Sequence, residues 1–384
     1  MAINQAMEQY AKDCFEDVKK FVRDLCVIPA PSHHEEKRAA WVKDWMEKNG
    51  AQGAFIDPAL NVIWPVNDTG DNDLIVFMAH TDVVFPDTTP LPFHEKDGIY
   101  YAPGVSDDTA PLAVLMNTAK YFVNGGFTPK TGILFVANSC EEGLGNLKGS
   151  RRIIDDYGSR VKELITVESK LDRIVDRAVG SHRYRVTVRT EGGHSYGAFG
   201  NRNAIRCLAS MIDTFYSIKV PVNGDSKTTY NVGSIQGGTS VNTIAQEATM
   251  LFEYRSDDKD CLAKMKAAFD AIIEAYRATG IEVEVELLGE RPCGGDLDPV
   301  AYGALLNRAA DSIRRIVGRE PIYGSSSTDA NYPLSKGIPA TCIGACTSAG
   351  AHTREEWLDV SSLLTGTRYL LDFMSNYFEE TAER

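Results

Sequence analysis

No Cys-x-x-Cys pair, no membrane-length apolar run, no excess of positive charge and no low-complexity segment occurs in the 384 residues of this chain. Each absence excludes something. The eight cysteines stand apart, at 14, 26, 140, 207, 261, 293, 342 and 346, several of them inside apolar patterns. A chain this long needs no covalent staples, so they read as reduced, mostly buried thiols of a cytoplasmic protein. Met1 to Lys20 is polar and helical in spacing, without the apolar heart of a secretion signal. A net charge of −13 argues against nucleic acid and against an anionic membrane as partners. No Gly-x-Gly-x-x-Gly follows a strand and opens a helix, which disfavours a dinucleotide-dependent dehydrogenase. What is left, with 43% hydrophobic residues, is a chain able to bury a sizeable core in one large or two ordinary domains.

What is present is a set of short apolar runs that end in metal-ligating side chains. Leu74 to Ala79 runs into His80-Thr81-Asp82. Gly132 to Ala137 leads through Asn138-Ser139-Cys140 to Glu141-Glu142. Leu164 to Val167 ends at Glu168, and the run Ile338 to Ile343 leads by a short loop to His352. Such runs, rich in β-branched residues, predict buried strands of a parallel sheet. Ligands in open α/β sheets bind beyond the carboxyl ends of the strands, so two histidines and several carboxylates are expected at one sheet edge.

The surrounding pattern fits. Gln5 to Cys26 and Glu35 to Lys48 have helical spacing, and strands alternate with helices to about Val179. The rhythm then changes. Tyr184–Thr190, Tyr230–Ile235, Glu247–Tyr254 and Ile281–Leu288 alternate like antiparallel strands, with helices predicted over Asn203–Tyr216 and Asp260–Thr279. The resulting β-α-β-β-α-β order is ferredoxin-like. From Val300 the chain returns to helix, strand and helix. The expected architecture is therefore α/β: a mostly parallel central sheet flanked by helices, at 1–179 and 291–384, carrying the catalytic site. The ferredoxin-like domain is inserted at 180–290.

Chemistry can be assigned motif by motif. In His80-Thr81-Asp82 alternate side chains of an extended segment point the same way, so the His can bind a metal while the Asp orients it from behind. A capped strand end explains the same three residues. Asp107-Asp108, after Gly104-Val105-Ser106, are either caps for the helical stretch Pro111 to Met116 or a carboxylate able to bridge two metals. Adjacent Glu141 and Glu142 at the end of a buried strand repel each other unless cations neutralise them. One can ligate a metal while the other serves as general base. Taken together, two His and three carboxylates suffice for two divalent ions about 3.5–4 Å apart. A donor set of nitrogen and oxygen without thiolate suits zinc, with cobalt or manganese possible.

The ordered series His-Thr-Asp, Gly-Val-Ser-Asp-Asp, Cys-Glu-Glu-Gly, the Glu after the next strand, Gly-Gly-His-Ser and Ala-His-Thr resembles one family over about Leu74 to Val360. It is the dizinc family of peptidase T, carnosine dipeptidase, glutamate carboxypeptidase, acetylornithine deacetylase, succinyl-diaminopimelate desuccinylase and aminoacylase. The resemblance implies that Asp107 bridges two zinc ions. It implies that His80 and Glu168 complete one site, Glu142 and His352 the other, and that Glu141 is the base with Asp82 behind His80. It implies a cis peptide at Asp107-Asp108. In the inserted domain His194 looks like the family's oxyanion-stabilising His, and Asn242 and Arg255 like its substrate contacts. Dimeric members pair through this domain and pass that His to the partner's site, so a homodimer with a lid and dimerisation role for the insert is expected. After Asp107-Asp108 many members carry Lys and Gly, where this chain has Thr109-Ala110-Pro111. The expected activity is exopeptidase cleavage of small peptides, with N-acyl amino acid deacylation as the alternative.

Overall fold

The computed structural model describes residues 3–168 and 170–380. The chain divides into two compact units, Met1–Ala178 with Gly295–Arg384, and Val179–Gly294.

The first unit is built on an eight-stranded mixed sheet. Its four central neighbours, in spatial order, are Gly132–Asn138, Leu74–His80, Val161–Val167 and Ala340–Ile343, all parallel. Antiparallel strands join on either side, Val62–Val66 against Gly132–Asn138 and Arg173–Ala178 against Ala340–Ile343. Alternation along each strand divides its side chains between two cores. Ile75, Phe77 and Ala79 pack with Ile133, Phe135 and Ala137 on one face. Leu74, Val76 and Met78 pack with Leu134 and Val136 on the other. Because both faces are covered, these strands read as unbroken apolar runs. Parallel pairing also puts every carboxyl end at one edge. That is where His80, Asn138 and Val167 stand.

In the first unit one detail differs from the sequence expectation, and one of two alternatives falls away. The first helical stretch is two helices, Gln5–Asp13 and Phe15–Cys26, because Cys14 adopts ψ −2° and turns the axis. The Asp107-Asp108 pair caps nothing. The helix Ala110–Asn124 begins at Thr109 without any side-chain cap.

The second unit follows the order strand Gly180–Arg189, helix Ala204–Tyr216, strands Thr228–Gly237 and Glu247–Ser256, helix Lys259–Ala278, strand Glu282–Arg291. The last strand runs three residues past the expected Leu288, where Arg291 still pairs with Ser181. Its four strands form one antiparallel sheet with the first and third strands at the centre. A stack of Phe215, Phe252, Phe269 and Tyr184 fills the space under the helices. Among the described residues no helix is long and apolar enough to cross a membrane.

Candidate metal centre

The sheet edge gathers what the four apolar runs promised. His80, the last residue of its strand, is buried. Its Nδ1 lies 3.0 Å from the Asp82 carbonyl oxygen, which leaves Nε2 3.0 Å from Asp107 Oδ1. The other oxygen of Asp107 lies 3.2 Å from His352 Nε2, and that same nitrogen is 3.2 Å from Glu142 Oε2. One carboxylate therefore stands between two imidazoles, an oxygen for each. Glu168 joins His80 and Asp107 in a group whose ligand atoms lie within 4.8 Å of one another, and Asp107, Glu142 and His352 form a second such group. A third contains His80, Glu141 and Glu142. Glu142 Oε1 and Glu168 Oε2 are buried without a hydrogen-bond partner. A buried, unpartnered carboxylate oxygen is costly unless a cation answers it. The residues thus fit a pair of divalent ions, with Asp107 shared.

Local structure explains the aim of each ligand. Asp107 lies within a tight segment, Val105–Thr109, and its peptide bond to Asp108 is cis, as the resemblance implies. Gly104 begins the segment at φ +72°, where a Cβ would sit 2.4 Å from Val83 Cγ1, so a glycine is required there. Asp108 is buried and accepts from the His80 backbone N–H at 2.9 Å. Asp82 is no ligand: its oxygens take the N–H groups of Glu141 at 3.0 Å and Glu142 at 2.9 Å and the Ser32 hydroxyl at 2.7 Å. It braces His80 and the Glu141-Glu142 loop together. His352 sits at φ +66° on the loop after Ala340–Ile343 and is 58% exposed, the most open member of the set.

Electrostatics follow from this crowding. Burial opposes ionisation of Asp107, but hydrogen bonds from His352 and His80 outweigh it and hold the carboxyl well below the usual range. Glu168 is pushed up to about 8, by burial first and by the charge of Asp107 next. Burial raises Glu142 as well, against the hydrogen bond from His352. His352 is raised to about 10 by its bonds to Asp107 and Glu142. For His80 burial works against the proton, but Asp107 and Asp82 outweigh it and the pKa rises.

Sequence reasoning missed supporting groups, Glu356 foremost. Glu356, four residues beyond His352 and fully buried, accepts from the N–H groups of Gly104, Ser106 and Asp107 and from the Ser106 hydroxyl, at 2.6 to 3.0 Å. It ties the Asp107 segment to the His352 loop. Spacing alone does not separate it from its exposed neighbour Glu355.

The remaining predicted residues lie in the second unit. His194 pairs with Thr243 in a two-residue strand, and Asn242 is next to it, its carbonyl accepting from the Ser195 N–H at 2.9 Å. His194 Nδ1 accepts from the N–H groups of Tyr196 and Gly197 at 3.3 and 3.2 Å, so the neutral ring carries its proton on the exposed Nε2. Arg255 is elsewhere. It pairs with Ser181 near the far end of the strand Glu247–Ser256, and its guanidinium is held by both oxygens of Glu253 at 3.0 Å. The structure brings His194 and Asn242 together and leaves Arg255 apart, near the opposite end of the strand Glu247–Ser256.

Two histidines and several buried carboxylates converging at the ends of parallel strands are the equipment of a metal-dependent hydrolase. The chain belongs to peptidase family M20/M25/M40, whose profile matches residues 76–376. Succinyl-diaminopimelate desuccinylase of Bordetella bronchiseptica is 24% identical over 369 residues, covering 90% of this chain and 94% of that protein. The solved structure of aminopeptidase PepT from Bacillus cereus superposes with a TM-score of 0.71 at 23% identity, over 96% of this chain and 99% of the other. A dinuclear metal binding peptidase of the same family from Bacillus subtilis gives a TM-score of 0.66 at 17% identity, over 94% and 98%. At these identities the solved structures establish the shared fold.

Proposed function

We propose that the protein is a dizinc exopeptidase that cleaves the amide bond of small peptides. The observation that carries this reading is Asp107, with one oxygen on His80 and the other on His352, while Glu141 stands in the same cluster. His80 and Glu168 would hold one ion, Glu142 and His352 the other, and Asp107 both. Bound there, two zinc ions supply charge that polarises the scissile carbonyl and makes a water acidic enough to attack at neutral pH. Glu141 accepts the proton of the attacking water and delivers it to the leaving amine. Asp82 keeps His80 in the tautomer that presents Nε2. His194, its proton on Nε2, donates to the developing oxyanion, and Asn242 helps fix the substrate. For Arg255 to bind a substrate carboxylate it must exchange its present partner, Glu253. The chain acts in the cytoplasm as a homodimer through the second unit, and His194 serves the site of the other copy.

A deacylase reading is favoured by one finding, the desuccinylase relative that aligns over 90% of this chain. The two reactions share every step above and differ only in what flanks the amide. Turnover of a panel of di- and tripeptides against N-acetyl and N-succinyl amino acids separates them. Cleavage confined to acyl amino acids would sink the peptidase reading, and loss of all turnover with zinc bound would sink both.

A further inference from the structure

Resting on the metal-centre reading, we infer that the segment from Ser32 to Arg38 is the clamp that sets the spacing of the metal ligands, with Arg38 as its principal positioning residue. Arg38 lies on the helix Glu36–Lys48 and is fully buried. Its guanidinium makes four hydrogen bonds, and every acceptor is neutral. Nε donates to the Ile28 carbonyl at 2.8 Å and Nη2 to that of Cys26 at 3.4 Å. Nη1 donates to the Thr81 carbonyl at 3.0 Å and to the Thr109 hydroxyl at 3.2 Å. Thr81 lies between His80 and Asp82, and Thr109 lies two residues after Asp107. One rigid planar group therefore spans both ligand-bearing loops from behind. A lysine ammonium cannot reproduce this fork.

Two further residues at three-residue intervals reach the third loop. Glu35, fully buried, accepts through Oε1 from the Cys140 N–H at 3.0 Å and from its thiol at 3.1 Å. Cys140 holds φ +57° and immediately precedes Glu141 and Glu142. Ser32 donates to Asp82 Oδ2 at 2.7 Å and contacts the Glu142 carbonyl at 3.3 Å. Ser32, Glu35 and Arg38 so connect one helix start to the loops of His80, Asp107 and Glu142. Metal affinity falls about 10–100-fold when such supporting partners are lost.

The test uses Co2+ as probe, because its visible absorption reports ligand geometry independently of turnover. Full-length wild type, Arg38→Lys, Arg38→Met and Thr109→Val are titrated well below each protein's metal-free Tm. The expected result is a roughly 10–100-fold weaker Co2+ affinity in both Arg38 variants, with an altered absorption band. Thr109→Val, which removes one acceptor, should show a smaller change of the same kind. Wild-type affinity and band in the Arg38 variants, whatever their Tm, would overturn the clamp. If neither Arg38 variant folds, Thr109→Val and Ser32→Ala decide, and unchanged binding in both overturns it equally. A wild-type protein that binds no Co2+ overturns the metal centre itself, which is a different failure.

Discussion

Asp107 serves two imidazoles at once, and the protons on its neighbours decide how metals enter. In the metal-free site burial and the charge of Asp107 hold Glu168 up to about 8, and Asp107 and Glu142 hold His352 up to about 10. At pH 7 both groups therefore carry protons that a divalent ion must displace. Affinity should rise with pH through this range and fall as the pH drops below neutrality. Calorimetric titration with Zn2+ at pH 7 in two buffers of different ionisation enthalpy should give different apparent enthalpies, and equal values would refute proton release. Glu141 supports a separate expectation. If Glu141 is the base, as proposed, Glu141→Gln removes it but keeps the shape, so metal content should persist while kcat falls by about 10²–10⁴-fold. A metal-loaded variant with near wild-type kcat would remove Glu141 from that role.

Among elements, the loops carry the geometry and the strands carry only the address. Glu356 shows the difference: a single carboxylate fixes three N–H groups and a hydroxyl of the Gly104–Asp107 turn. Glu356→Gln leaves at least one of these donors facing an amide N–H instead of an oxygen. It should cost about 1–3 kcal/mol of stability and weaken metal binding through Asp107. Urea denaturation of the metal-free variant checks the first part, and a wild-type midpoint would contradict it. The strands themselves were legible in the sequence because two buried faces demand an unbroken apolar run, as in Leu74 to Ala79. His80, Glu142, Glu168 and His352 were legible because each follows such a run. Glu356, Glu35 and Arg38 were not. They sit in polar segments, and their burial depends on loops that meet only after folding. The break at Cys14 was hidden for the opposite reason, since apolar spacing continues across it while the backbone turns.

At the level of the whole molecule, His194 gives the sharpest expectation. If it serves the site of a second copy, two inactive proteins should rescue each other. In the proposed dimer, mixing His194→Ala with Glu141→Gln would give pairs in which one site has its own Glu141 and receives an intact His194. Partial return of activity is expected once subunits exchange. Verified exchange with no activity would confine His194 to its own chain. The ferredoxin-like order of the second unit was readable from alternation alone, whereas the separation of Arg255 from His194 needed strand register.

The strand pairing Ser181 with Arg291 and the crowding of Gly180 against Cys293 bring the two ends of the second unit side by side. A piece whose entrance and exit coincide behaves genetically as a cassette. Replacing residues 180–292 with a short glycine-serine bridge should leave a trimmed protein that still folds and still takes up two equivalents of zinc, yet turns over no substrate. Metal stoichiometry of one or none in a folded trimmed protein would show that the cassette is not separable.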